Sequence, residues 1–252
     1  MLIAFVGLAA FMIASKRSLK TTAKNALKYV LVGLITAAHW IFFFEALKVS
    51  NVSITLTTLA STSLFVAFIE PLFFKRKIIL YEVFFGLLTV VGLALIFQAE
   101  TSYSLGIFYA LISALLAAIF STVNGIFVKS DRPTRITAYE MLGGVLGISA
   151  YTFLQQGSII IPAGIDWLWL AILGLVCTSM AFVVSIEVMK TLSPFTVSIS
   201  INMEPIYAII FALLIFQEEE YMSPLFYLGA TVVMGTIFLN SYIKRKSRPT
   251  LP

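Results

Sequence analysis

Nine apolar runs, most of them about twenty residues long, leave this chain one solvent in which to fold. They cover approximately residues 1–15, 27–47, 52–74, 78–98, 104–128, 134–154, 166–189, 194–216 and 222–243. About twenty mostly apolar residues let a helix cross the hydrocarbon core of a bilayer. Barrel strands would be about half that length and would alternate in polarity, whereas these runs are apolar around their whole circumference. The connections are short, so no stretch is polar enough to fold as a separate soluble domain. Only 12% of the 252 residues are charged, against about a quarter in a typical soluble protein. The expected fold class is all-α, a polytopic membrane helix bundle forming one membrane domain.

The formal charge of +5 does not point to nucleic acid, because the basic residues sit in short loops rather than in a stripe on one face. They read instead as topology signals. With residues 16–26 inside, strict alternation puts Lys16, Arg17, Lys20, Lys24, Lys28, Lys75, Arg76, Lys77, Lys129, Arg132, Arg135, Lys190, Lys244, Arg245, Lys246 and Arg248 on the cytoplasmic side, and only Lys48 outside. The positive-inside rule then predicts a cytoplasmic C-terminus, with Glu218, Glu219 and Glu220 exterior. The single cysteine, Cys177, permits no intrachain disulfide and reads as small core filler. Fifteen residues of helix reach only about 22 Å, so 1–15 reads as the end of a helix that begins upstream. It is not a signal peptide, since Lys16 and Arg17 follow the apolar run instead of preceding it.

The sequence repeats itself. Ala46-Leu47-Lys48-Val49-Ser50-Asn51-Val52 aligns with Val188-Met189-Lys190-Thr191-Leu192-Ser193-Pro194 at an offset of 142, and Gly86-x5-Gly92 aligns with Gly229-x5-Gly235 at 143. Each copy continues into a hydroxyl-rich helix, with Thr55, Thr57, Thr58, Ser61 and Thr62 in one and Thr196, Ser198, Ser200 and Asn202 in the other. An odd number of spans separates the copies, so they cross the membrane in opposite directions. Inverted repeats flanking a midplane cavity are the architecture of many secondary transporters.

Several of these segments resemble a known family. Ala46-Leu47-Lys48 with Ser50, Glu70-Pro71-Leu72-Phe73-Phe74-Lys75-Arg76-Lys77, and Glu204-Pro205 running through apolar residues into Glu218-Glu219 are similar to the EamA repeats of the drug/metabolite transporter superfamily. The resemblance implies two inverted five-helix repeats, ten helices in all. Residues 1–98 would then be the first repeat, 104–243 the second and 244–252 a basic cytoplasmic tail. About nine helices are present, and the family's first helix is apparently missing. One departure is that Ser63 stands where the family's first repeat often has proline, matching Pro205 in the second.

Ionisable groups at midplane depth cost about 3 kcal/mol each, so each needs a reason. His39 and Glu204 lie near the centres of their spans. Together with Trp40, Thr58, Thr62, Phe120, Asn124 and Asn202 they form the expected substrate cavity, on helices matching those that line it in the family. Glu70, Glu140 and Glu187 lie nearer the cytoplasmic interface, where snorkelling or a neighbouring Lys or Arg would satisfy them. Gly143-x3-Gly147 is expected to allow close internal helix packing. No nucleotide cradle, metal-spaced His/Cys cluster or nucleophile elbow appears, so no catalytic residue, metal or cofactor is expected and the chain is read as no enzyme.

The expected function is a secondary transporter of a small metabolite, an amino acid or related amphiphile, working as an exporter by alternating access in the plasma (inner) membrane. The partners are the substrate and the lipid bilayer, with protons as a candidate coupling ion and no nucleic acid. Nothing in the sequence indicates a dimer. The open alternative is a non-transporting membrane protein: a structural subunit, a sensor or an intramembrane enzyme.

Overall fold

In lipid the backbone polar groups must be satisfied internally, and the described residues meet that demand with helices. The computed structural model describes all residues except 76, 78–79, 156–161, 202–203, 217–221 and 247–252, and has no strand among the described residues. The helices are α1 (Leu2–Ala14), α2 (Ala23–Val49), α3 (Val52–Leu59), α4 (Thr62–Phe74), α5 (Leu80–Ala99), α6 (Ser104–Phe127), α7 (Pro133–Leu154), α8 (Asp166–Ala171), α9 (Ala181–Val188), α10 (Pro194–Ile201), α11 (Glu204–Phe216) and α12 (Pro224–Lys246). Pro133, Pro194 and Pro224 open their helices, where a missing N–H leaves no bond unmade. Among the described residues, Ala23–Val49, Val52–Phe74, Thr101–Phe127 and Asp166–Val188 are long and apolar enough to cross a bilayer, with shorter apolar helices beside them. Large apolar side chains such as Ile13, Phe153, Trp169 and Leu214 face outward. The protein is a multi-pass membrane protein.

One of the expected continuous spans is broken: run 52–74 is an eight-residue helix followed by one of thirteen. In run 194–216, α10 and α11 stand on either side of residues 202–203, which lie outside the described residues. A third run, 166–189, is helical throughout but passes through a nine-residue π-helical stretch, Ile172–Met180, between α8 and α9. There Thr178 and Ser179 donate their hydroxyls to the carbonyls of Leu173 and Gly174, five residues back, at 2.7 and 2.8 Å.

The chain forms two compact units. The first comprises Met1–Ala38 and Val123–Ser193. In it α1 packs on α7 and on the π-helical stretch, and α7 also packs on α9. Ser179 donates to the carbonyl of Ala4 at 3.1 Å. The contact of α2 with α7 is made by glycine. A Cβ at Gly33 would collide with the carbonyl of Glu140, and one at Gly143 with the carbonyl of Val30, while one at Gly147 would lie 2.7 Å from the Ala37 Cβ. The expected small-residue packing is therefore internal. Cys177 does not fill the core. It is exposed on the π-helical stretch, whose wider i→i+5 turn carries Leu175, Val176 and Cys177 exposed together.

The second unit comprises His39–Thr122 and Pro194–Pro252. Here α5 and α12 lie side by side. A Cβ on Gly92 would come within 2.9 Å of the Gly229 carbonyl, and one on Gly229 within 2.7 Å of the Gly92 carbonyl. Farther along, the hydroxyls of Thr89 and Thr236 meet at 3.0 Å. Residue numbers fall along one helix as they rise along the other, so the two are antiparallel. Beside them α3 packs on α11 and α4 on α10. Ile54, Val66, Ile96, Phe195, Phe226 and Val233 form the core beneath them.

Candidate functional site

The break in the first copy follows from its hydroxyls. Thr62 Oγ1 donates to the carbonyl of Leu59 at 2.7 Å and Ser63 Oγ to that of Ala60 at 3.2 Å. Such short back-bonds compete with the helical ladder. In the second copy the residue matching Ser63 is Pro205, which has no N–H to give. Glu70 Oε2 accepts the backbone N–H of Phe195 at 2.9 Å, which pins α4 beside the start of α10.

Around the first break the hydroxyls of Thr57, Thr58 and Ser61 are buried and bonded to nothing among the described residues. Buried polar groups are normally paired, so a cluster of unpaired ones at a helix break calls for an explanation. On α10, the buried Ser198 Oγ is likewise without a partner.

His39 lies on α2, in the same unit, half-buried. Its Nδ1 is 2.9 Å from the Ser113 carbonyl and 2.8 Å from Ser113 Oγ, while Ser113 Oγ donates to the His39 carbonyl at 3.0 Å. This reciprocal clasp is satisfied when Nδ1 carries the hydrogen, which leaves Nε2 as an acceptor. Phe43 stacks on the imidazole at 6.3 Å and Phe120 meets it edge-on at 5.4 Å. Of the expected cavity residues, His39 and Phe120 are thus brought together. Trp40 contacts Phe44 instead. Thr58 is fully buried in α3 and Thr62 opens α4. Glu204 opens α11 with its side chain exposed. Asn202 lies outside the described residues, as do Glu218, Glu219 and Glu220.

Asn124 falls in the first unit, where its Nδ2 donates to Glu140 Oε2 at 3.2 Å. Glu140 neither snorkels nor pairs with a cation, contrary to expectation. It is fully buried, because the glycines of α2 and α7 bring its backbone too close to the neighbouring helix for the side chain to reach out. Glu187 behaves as expected, exposed and paired with Lys190 at 2.5 Å. Glu70 holds a helix terminus. Sequence reasoning missed Ser113, which carries no motif and is recognisable only once α2 and α6 are seen to cross there.

The crosswise packing of α3 on α11 and α4 on α10, beside the antiparallel α5 and α12, fits a membrane protein of the inverted-repeat helical class. A family model described as the EamA-like transporter family matches residues 1–98 and 104–243. The chain belongs to that family, part of the drug/metabolite transporter superfamily. It is similar to the uncharacterized transporter YxxF of Bacillus subtilis (strain 168), at 23% identity over 203 residues. The aligned region is 76% of this chain and 62% of the relative, so the chain spans less than two thirds of that protein's length. A solved crystal structure of a protein shares the fold with a TM-score of 0.70 at 16% identity, covering 98% of this chain and 86% of its own.

Proposed function

We propose that the protein is a secondary transporter, not an enzyme, that exports a small amphiphilic metabolite such as an amino acid across the plasma membrane by alternating access. The observation that carries this reading is the helix break at Ala60–Ser61 with unpaired buried hydroxyls around it. Discontinuous helices at the repeat interface are where transporters of this architecture expose backbone and hydroxyl groups to substrate. Unpaired hydroxyls at Thr57, Thr58 and Ser61 supply hydrogen bonds, the His39 Nε2 accepts one, and Phe43 and Phe120 offer apolar surface to the rest of the molecule. Residues 1–98 and 104–243 act as the two repeats. The basic loops, and with them the C-terminus, face the cytoplasm.

Purified full-length protein in proteoliposomes, assayed for uptake and efflux against a metabolite panel with and without a pH gradient, tests the reading. Saturable movement of one compound class is expected, and movement of none overturns it. Reporters fused after Lys77, Arg135 and Lys246 should report cytoplasm, and those after Ser50 and Glu220 exterior. An exterior signal after Lys77 overturns the orientation.

A further inference from the structure

The first three turns of α7 place Thr134, Thr137 and Glu140 at three-residue intervals on one buried face. Glu140 is 0% exposed and Asn124, on α6, 2%. One carboxyl oxygen of Glu140 takes the Asn124 amide N–H. The other oxygen, Asn124 Oδ1 and the hydroxyls of Thr134 and Thr137 have no partner among the described residues. Among the described residues no Lys or Arg is seen bonded to Glu140. Arg135, on the same helix, is bonded to Asp131 at 2.6 Å and to the Ser18 carbonyl at 2.9 Å. On α2, Tyr29 gives its hydroxyl to Asp131 at 3.0 Å, and Lys24 and Lys28 are exposed. Tyr139 turns to the Leu19 carbonyl at 3.2 Å. Helix α1 has no ionisable side chain, and the one on α9, Glu187, is exposed and paired with Lys190.

An ionised carboxylate sealed in this position is an uncompensated buried charge, which proteins tolerate poorly. A proton removes the charge and places a donor among oxygens that lack one. The carboxyl is also too tightly enclosed by α2, α6 and α7 to serve as a contact for a bulky solute.

We propose that Glu140 is an exchangeable-proton site, with Asn124 as its positioning residue, and that this proton is the one coupled to substrate movement. The coupling part rests on the transport reading above. Loading forms an O–H bond on the free carboxyl oxygen with a proton taken from water, and unloading returns that proton to water and leaves the carboxylate held by the Asn124 amide.

The test is infrared difference spectroscopy of the full chain in lipid nanodiscs during a pH titration. Wild type should show a protonated-carboxyl carbonyl band that is lost as pH rises. Glu140→Gln, which keeps the Asn124 bond but cannot exchange a proton, should lack that band, and Glu187→Gln should keep it. Glu140→Asp and Asn124→Ala should each shift its midpoint, which keeps the test decisive if Glu140→Gln fails to fold. An unchanged band in Glu140→Gln, or unmoved midpoints in the other two variants, overturns the site. With a compound found in the proteoliposome panel, Glu140→Gln should lose pH-gradient-driven accumulation. Unchanged accumulation, or a sodium gradient driving it with no pH dependence, overturns the coupling while transport stands. A titrating band without movement of any compound leaves the site standing and overturns the transport reading.

Discussion

Residues 52–99 and 194–246 are two copies of one design, and they differ in the chemistry at matching places. Both open with a helix, at Val52 and at Pro194. The first copy breaks at Ala60–Ser61, where the hydroxyls of Thr62 and Ser63 bond back to the main chain; at the place of Ser63 the second copy has Pro205, with no N–H to give. The first copy caps itself, the Asn51 side chain accepting the N–H of Ile54 at 2.9 Å. The second has Ser193 at that place, and its Phe195 N–H is taken by Glu70 of the first copy. The comparison teaches that the first copy starts its helix with its own side chain, while the second borrows one from the first.

The largest effect is expected where the closing helices meet. Gly92→Ala brings a Cβ within 2.9 Å of the Gly229 carbonyl, a backbone group that cannot swing away, and should cost about 2–3 kcal/mol. Gly235, the counterpart of Gly92 in the repeat, has nothing within 4 Å of the added carbon, so Gly235→Ala should be neutral or gain up to about 1 kcal/mol. Thermal unfolding in detergent, followed by tryptophan fluorescence, separates the two variants, and equal shifts would remove the distinction between the copies at this crossing.

Glu70→Ala should come next, at about 2 kcal/mol, because it strips the bond from a buried N–H at the start of α10. Glu70→Gln retains an acceptor oxygen and should recover much of that. Hydrogen exchange at Phe195 is the local readout: faster exchange there upon substitution in α4 shows that one copy caps the other, and unchanged exchange removes the link. Asn51→Ala should cost about 1 kcal/mol and Asn51→Ser rather less, since serine is also a good N-cap. Its exchange signature should appear at Ile54 and leave Phe195 unaffected.

The smallest change in stability belongs to Thr58→Val. No hydrogen bond is lost there, so unfolding should move by less than about 0.5 kcal/mol, while transport in proteoliposomes should fall. A fully active Thr58→Val would separate the buried hydroxyls of the first copy from substrate binding.

The helices, their approximate limits and the repeat were all legible in the sequence, because hydrophobic run length and a fixed offset survive without knowledge of the partners. The break in the first copy could be read in part: the cluster Ser61-Thr62-Ser63 marks it, but run length favours an unbroken span over 52–74. Glu140 was harder. Its distance from the end of α7 points to the interface, and its burial comes from Gly33 and Gly143, more than a hundred residues apart. Sequence spacing says that glycines allow close approach without saying which backbone arrives. The His39 clasp was hidden for the same reason, since Ser113 acquires its role only from the crossing of two helices.

The cap on α10 bears on how the protein is made. Glu70 and Phe195 lie 125 residues apart, so at ordinary translation rates the carboxylate enters the membrane on the order of ten seconds before its donor is synthesised. The first repeat is therefore completed only when the second arrives, and the nascent chain has a late step at which the carboxylate of α4 takes the Phe195 N–H.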